Sequence, residues 1–172
     1  MPRRVRERPP APVPPPPLGS GGTGARLTML LDTNVVLDAI LARAPWDRDA
    51  VLLLDAIARG RATGVVAGPA VTTVHYIVER ARGGTVAATA VSDLLQLVDV
   101  VALDRSDFTR ALSLGLADYE DAVHVAAYLR IGADALVTRN ARDYKGAPVA
   151  TRTAGEVLAL LASSTPDPSA EE

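Results

Sequence analysis

The sequence predicts an α/β fold in which helices cover both faces of a parallel β-sheet. Short, continuously apolar runs recur along the chain, and stretches with helical periodicity separate them. Strands that are apolar throughout are buried on both faces, as in parallel sheets packed between two helical layers. With 172 residues, of which 48% are hydrophobic, the chain is long enough for one domain with a substantial core.

Five apolar runs are predicted to form the strands, at 28–32, 63–67, 98–103, 135–138 and 149–150. Helices are predicted at 35–40, 47–59, 69–82, 85–98, 105–116, 118–130 and 153–161. Pro69 suits the first turn of the third helix, and Gly83 ends it. The second helix is expected to place Val51 and Leu54 on its inward face.

Residues 1–28 differ in composition from the rest of the chain. They hold eight of the 13 prolines and five of the 18 basic residues, but one of the 20 acidic residues. The segment therefore carries a charge of +4 and the remainder −6. Because it holds almost no large apolar side chain, we expect a disordered tail at 1–28, a domain at 29–162 and a frayed end at 163–172. Met29 is a candidate natural start, the alternative being a flexible arm that touches RNA phosphates.

The composition excludes several classes of protein. The absence of cysteine excludes disulfides, thiolate zinc sites, iron–sulfur clusters and thiol nucleophiles. Aromatic residues make up 3% of the chain, too few for a base-stacking platform. No apolar run reaches the roughly 18 residues of a membrane span, and the Arg-rich start leads into prolines instead of the apolar segment of a secretory signal. We therefore expect a cytoplasmic protein that does not enter a membrane.

Four aspartates are expected to meet at one edge of the sheet. Asp32 ends the first strand, and Asp143 follows the fourth. Asp118 and Asp121 open the sixth helix on the face that its apolar residues place inward. Ligands of parallel α/β sheets bind beyond the carboxyl ends of the strands, so these carboxylates are expected to line one crevice.

An all-oxygen set of this kind suits a hard divalent cation, Mg²⁺ or Mn²⁺, that also engages phosphate. It favours hydrolysis of a phosphodiester bond, because such a cation lowers the pKa of a water molecule and neutralises the phosphate. The acidic body would not attract RNA by net charge. Contacts to RNA would then depend on Arg139, Arg142 and Arg152, which are equally compatible with ordinary solvated surface.

Each of these groups also has a purely structural interpretation. Asp32 and Asp118 are good helix N-caps, and Asp143 is a common turn residue. The two histidines of the chain, His75 and His124, are expected to be hydrogen-bonded core residues and not ligands.

Three segments together resemble the PIN domain, the fold of metal-dependent ribonucleases that includes VapC-type toxins of toxin–antitoxin pairs. The segments are LLDTNVVLD, LADYEDAVHVAAY and ALVTRNARDY, in this order along the chain. The resemblance covers about 29–161 and implies a three-layer α/β/α sandwich around a parallel sheet. It also implies ribonuclease activity with Mg²⁺ or Mn²⁺, an RNA substrate and an antitoxin partner, and it leaves a homodimer open.

The resemblance also assigns roles to individual residues. The residues that match metal-binding acids of the family are Asp32, Asp121 and Asp143, with Asp118 as the additional acid of a DxxD variant. Thr138 and Asn140 match polar residues that hold ligands or water, and they complete the expected catalytic set. One position departs from the pattern, because Thr73 stands near the place where the family usually has an acid.

Three functions compete at this point. A metal-dependent endoribonuclease of the toxin type is favoured by the ordered motifs. A PIN-like module that binds RNA or protein after losing turnover is favoured by Thr73. A phosphotransfer protein using Asp32 is disfavoured, because Asp32-Thr-Asn34 lacks the second acid of a DxD motif and Lys145 follows no strand end. No GxxxxGK[ST] loop is present either.

Overall fold

A computed structural model describes residues 26–163 and contains one five-stranded sheet. Its strands are β1 (Thr28–Leu31), β2 (Thr63–Ala67), β3 (Asp99–Val101), β4 (Ala135–Val137) and β5 (Thr151–Arg152). The spatial order is β3-β2-β1-β4-β5, and every neighbouring pair is parallel. The predicted parallel sheet is therefore confirmed.

Helices pack on both faces of this sheet. They are α1 (Thr33–Leu41), α2 (Asp47–Ala58), α3 (Gly68–Arg82), α4 (Gly84–Leu97), α5 (Arg105–Ser113), α6 (Tyr119–Ile131) and α7 (Ala154–Ser163). Met29 and Leu31 of β1 belong to a core shared with α1 to α4 and α7, whereas Leu30 belongs to a core shared with α6. Since successive strand residues point to opposite faces, the central strand is buried on both sides. The three-layer α/β/α sandwich is thus confirmed.

The chain changes direction across the sheet between β1 and β4. From β1 it moves outward through β2 to β3, and then returns to the other side of β1 as β4. Residues that follow β1 and β4 consequently meet at a switch point, which is where parallel sheets form ligand crevices.

Three sequence-based expectations about the helices and strands need correction. The fifth strand lies at Thr151–Arg152 and not at Val149 and Ala150. The backbone N–H of Val149 donates to the carbonyl of Ala147 in a local turn, so pairing with β4 begins only when Leu136 N donates to Ala150 O.

The inward face of α2 is also shifted by one residue. Ala50, Leu53 and Ile57 are buried there, whereas Val51 is 50% exposed and Leu54 is partly buried. Apolar residues run without interruption from 50 to 54, so helical spacing alone leaves the phase of this helix ambiguous. The fifth helix is shorter than expected too, because the chain turns at Gly115, whose φ is +67°.

The expected tail at 1–28 and frayed end at 163–172 lie outside the described residues, except at their inner edges. There Thr28 already begins β1 and Ser163 ends α7. None of the helices between residues 26 and 163 is long and apolar enough to cross a lipid bilayer.

The phase of α2 predicts unequal effects of two truncations. Leu53→Ala should lower the free energy of unfolding by about 2–5 kcal/mol, because Leu53 is fully buried. Val51→Ala removes a half-exposed side chain and should change it by no more than about 0.5 kcal/mol. Urea denaturation measures both. Equal losses of unfolding free energy in the two variants would contradict the burial of Leu53 and the exposure of Val51.

Candidate active site

An acid-lined cavity of about 180 Å³ lies where β1 passes into α1. We call it the acidic cavity. The predicted acids that line it are Asp32, Asp118, Asp121 and Asp143. None of its eleven lining residues is Lys or Arg. The structure therefore brings the four predicted aspartates together, with no Lys or Arg among the lining residues to neutralise them.

Asp32 is held by hydrogen bonds from two directions. Its Oδ1 accepts from the backbone N of Asn34 at 3.1 Å, which caps α1. Its Oδ2 accepts from the hydroxyl of Thr138 at 2.7 Å, and that hydroxyl oxygen accepts from the backbone N of Asn140 at 3.0 Å. Asp32 and Thr138 are almost completely buried. The structural and the functional interpretation of Asp32 are thus compatible, since capping helps to fix the carboxylate that faces the cavity.

Asp118 and Asp121 lie at the N-terminus of α6. Asp118 caps the helix by accepting from the backbone N of Glu120 at 2.7 Å. The pKa of Asp121 is raised to about 6, mainly by burial and also by the nearby carboxylates of Asp32, Asp118 and Asp143, against a hydrogen bond from a tyrosine hydroxyl that lowers it. The ionised form of Asp121 is therefore held in surroundings that lack positive charge.

The two remaining predicted residues lie behind the acids. Thr138 reaches the cavity only through its bond to Asp32, and Asn140 is not among the residues that line it. The backbone of Asn140 contributes by bonding to Thr138 and by accepting from the N–H of Asp143 at 3.0 Å. Thr73 does line the cavity, and its hydroxyl donates to the carbonyl of Pro69 at 3.3 Å.

Four further residues belong to the site. Thr33, Glu120 and His124 line the cavity, and Tyr144 donates to Asp121 Oδ1 at 3.1 Å. The spacing of His124 from Asp121, one helical turn, is a signal in the sequence for its place in the site.

The two histidines differ in their surroundings. His124 is buried, as predicted, but it also lies on the cavity. The prediction of a core position for His75 is wrong. Its side chain is 42% exposed on α3, with Nδ1 3.9 Å from Glu79 Oε2.

Arg139, one of the candidate RNA-binding arginines, binds other side chains of the same protein. Arg139 donates to Asp38 Oδ1 at 2.7 Å, and its guanidinium carbon lies 4.3 Å from the centroid of the Trp46 ring. Asp38 is buried, and burial raises its pKa despite the opposing charge of Arg139. Arg142 is exposed, and Arg152 donates to the carbonyl of Thr151.

The donor chemistry of the acidic cavity fits a hard divalent cation. Carboxylate and hydroxyl oxygens surround it, and added positive charge would offset the burial and the neighbouring carboxylates that raise the pKa of Asp121. Within residues 26–163, however, no three Asp, Glu or His side chains are arranged as a formed metal site. The residues present thus provide suitable ligands without a preassembled coordination shell.

Comparison with known families identifies the class of the protein. Residues 28–142 match the PIN domain, and the chain therefore belongs to the PIN-domain family. No curated protein matches the sequence significantly.

Solved structures that share the fold include VapC and VapBC proteins and another toxin–antitoxin complex. VapBC2 from Rickettsia felis, bound to a DNA fragment from its promoter, has a TM-score of 0.59 at 13% identity, covering 74% of this chain and 98% of its own. A toxin–antitoxin complex from Klebsiella pneumoniae has a TM-score of 0.56 at 20% identity, covering 73% and 97%. VapC20 from Mycobacterium tuberculosis, a toxin that cleaves the sarcin–ricin loop, has a TM-score of 0.53 at 14% identity, covering 63% and 86%. At these identities the similarity establishes the fold.

Replacement of Asp121 by Asn should stabilise the metal-free protein. Asn keeps the size and accepts from Tyr144 but carries no charge, so the cost of holding an ionised carboxylate is removed. Because Asp121 is only half-buried and water screens part of this cost, we expect about 1 kcal/mol, or about 3 °C in Tm at pH 7.5.

The gain in stability of Asp121→Asn over the wild type should decrease as the pH is lowered. The pKa of Asp121 is raised from 3.8 to about 6 in the folded protein. Protonation of Asp121 therefore stabilises the folded wild type, fully below about pH 4, and this stabilisation is lost as the pH rises through 6. The difference in Tm should therefore disappear near pH 4. Asp93→Asn, at an exposed position of α4, is the matched control. A variant less stable than the wild type at pH 7.5 would contradict the interpretation.

Proposed function

We propose that this PIN-domain protein is a Mg²⁺- or Mn²⁺-dependent endoribonuclease that hydrolyses RNA phosphodiester bonds in the cytoplasm. The observation that carries the proposal is the acidic cavity, where Asp32, Asp118, Asp121 and Asp143 converge with no Lys or Arg among the lining residues. Phosphodiester groups repel such a surface unless a cation lies between them. VapC20, a toxin that cleaves the sarcin–ricin loop, supports a cleavage reaction on this fold.

Asp32, Asp121 and Asp143 would hold the cation, with Asp118 beside them. A bound divalent cation supplies positive charge that neutralises the phosphate and lowers the pKa of a water molecule. Thr138 and the backbone of Asn140 keep the Asp32 carboxylate in place through the bonds described above.

We further propose that the protein is the toxin of a toxin–antitoxin pair. The structures from Rickettsia felis and Klebsiella pneumoniae hold toxins together with antitoxins, and they share the fold of this chain. A small reading frame next to this one, encoding a protein that binds the chain and stops cleavage, would identify the partner. The same complex would show whether the protein forms a homodimer.

A second candidate function is a PIN-like module that binds RNA or protein without turnover. The observation that favours it is Thr73, which lines the acidic cavity and donates to its own helix. A threonine provides a neutral hydroxyl, so the cavity holds one charge fewer than an acid there would give. Calorimetry that detects no Mn²⁺ binding at millimolar concentration would favour this candidate.

Cleavage of a mixed RNA substrate with Mn²⁺ tests the leading proposal. Asp32→Asn should lower the rate by about 100-fold or more, because it removes a buried ligand and keeps the cap on α1. Asp93→Asn should cleave at the wild-type rate, and chelation of the metal should abolish cleavage by both. Equal rates for the wild type and Asp32→Asn would rule out this site.

A further inference from the structure

A continuous set of hydrogen bonds connects the two acids of α6 through the interior. Glu120 Oε1 accepts from Thr33 Oγ1 at 2.9 Å, and Thr33 Oγ1 lies 3.3 Å from His124 Nε2. On the other side of the ring, His124 Nδ1 lies 3.2 Å from the Tyr144 hydroxyl, which donates to Asp121 Oδ1 at 3.1 Å. We call these five residues the buried chain.

The middle of the buried chain is closed to water. Thr33, His124 and Tyr144 are 4%, 1% and 3% exposed. Buried polar groups that cannot reach water must hydrogen-bond to each other, because a buried group without a hydrogen-bond partner destabilises the folded protein. The three side chains therefore have to satisfy one another in a consistent order of donors and acceptors.

The buried chain has fewer hydrogens than contacts. Thr33 and Tyr144 carry one hydroxyl hydrogen each, and a neutral imidazole carries one N–H. Burial lowers the pKa of His124, which keeps the ring neutral. Three hydrogens thus serve four contacts while both carboxylates are ionised, and one contact is always without a hydrogen.

The position of the ring hydrogen decides which hydroxyl the ring supports. Thr33 donates to Glu120 and Tyr144 donates to Asp121, so the contact that lacks a hydrogen is one of the two that His124 makes. With its hydrogen on Nδ1, the ring donates to the Tyr144 hydroxyl oxygen and strengthens the bond from Tyr144 to Asp121. With its hydrogen on Nε2, the ring donates to the Thr33 hydroxyl oxygen and strengthens the bond from Thr33 to Glu120 instead.

We propose that His124 and Tyr144 are positioning residues of the acidic cavity, which orient the carboxylate of Asp121 and couple it to that of Glu120. The inference rests on the proposed function in so far as Asp121 holds a cation. Groups that hydrogen-bond a metal ligand from behind fix its orientation and raise the affinity of the site. His124 is close to the first ligand as well, because its Nδ1 lies 3.9 Å from Asp32 Oδ1.

Tyr144→Phe tests this role, because it removes the hydroxyl and keeps the ring that packs in the core. Tyr128→Phe is the matched control, since Tyr128 is buried in the same core and its hydroxyl accepts from the backbone N of Ala150 at 3.4 Å. Calorimetry should show Mn²⁺ affinity lower by about 10- to 100-fold in Tyr144→Phe. In RNA cleavage, kcat should fall with KM unchanged, and Tyr128→Phe should match the wild type in both assays.

The ring nitrogens of His124 give a readout in the metal-free protein. ¹⁵N NMR distinguishes Nδ1–H from Nε2–H, and the exposed His75 is an internal reference. We expect the Nδ1–H form in the wild type, because a ring that donates to Tyr144 strengthens the bond from Tyr144 to the Asp121 carboxylate. Tyr144→Phe leaves Nδ1 without a partner, so the ring should change to Nε2–H while His75 stays the same.

The outcomes separate this inference from the proposed function. Equal Mn²⁺ affinity in Tyr144→Phe and Tyr128→Phe, or His124 signals that do not change in Tyr144→Phe, would overturn the positioning role. A wild type that binds no Mn²⁺ contradicts the proposed function instead, and the metal-free ring signals still decide whether the buried chain exists. His124→Gln, which keeps a donor and an acceptor, should retain Mn²⁺ affinity that His124→Leu loses.

Discussion

The parallel pairing of β1 with β4 determines where every group of the acidic cavity lies. Leu31 is paired with Val137, and the next residue, Asp32, donates its backbone N–H to the Val137 carbonyl at 2.9 Å. This register places Thr138 against the Asp32 carboxylate. A slip of one residue would turn Asp32 toward the opposite face of the sheet, and the cavity would lose its central ligand. The site is therefore a consequence of sheet register at the switch point.

The cavity stores electrostatic strain in the metal-free protein. Four aspartates meet without a Lys or Arg in the lining, and burial together with the neighbouring carboxylates raises the pKa of Asp121. Proteins tolerate such strain where it serves a site, because selection for function outweighs a small loss of stability. The hydrogen bonds that cap α1 and α6 reduce the cost by fixing Asp32 and Asp118 with backbone donors.

Much of the fold could be predicted from the sequence because its signals are local. Apolar runs such as residues 63–67 form buried strands because of their own composition. The four aspartates then lie at the cavity because they end strands or begin a helix at the same edge of the sheet. The buried face of α2 was harder to predict, because Val51 lies in an unbroken apolar run that is compatible with more than one buried face of the helix.

The buried chain could not be predicted, because its contacts join residues far apart in sequence. His75 and His124 each stand alone on a helix with an apolar stripe, and only tertiary packing makes one exposed and the other buried. Tyr144 follows Asp143 directly, yet its hydroxyl bonds to Asp121, 23 residues earlier, across the interior. A resemblance in sequence motifs locates the acids but not the groups that hold them.

Crystals of the protein soaked with Mn²⁺ provide the most direct test that the acidic cavity is a cation site. The account predicts an anomalous scattering peak in the cavity, within coordinating distance of carboxylate oxygens of Asp32 and Asp121. The peak should be absent from crystals of Asp32→Asn. An empty cavity in wild-type crystals at millimolar Mn²⁺, with Asp32 still bonded to Thr138, would contradict the account.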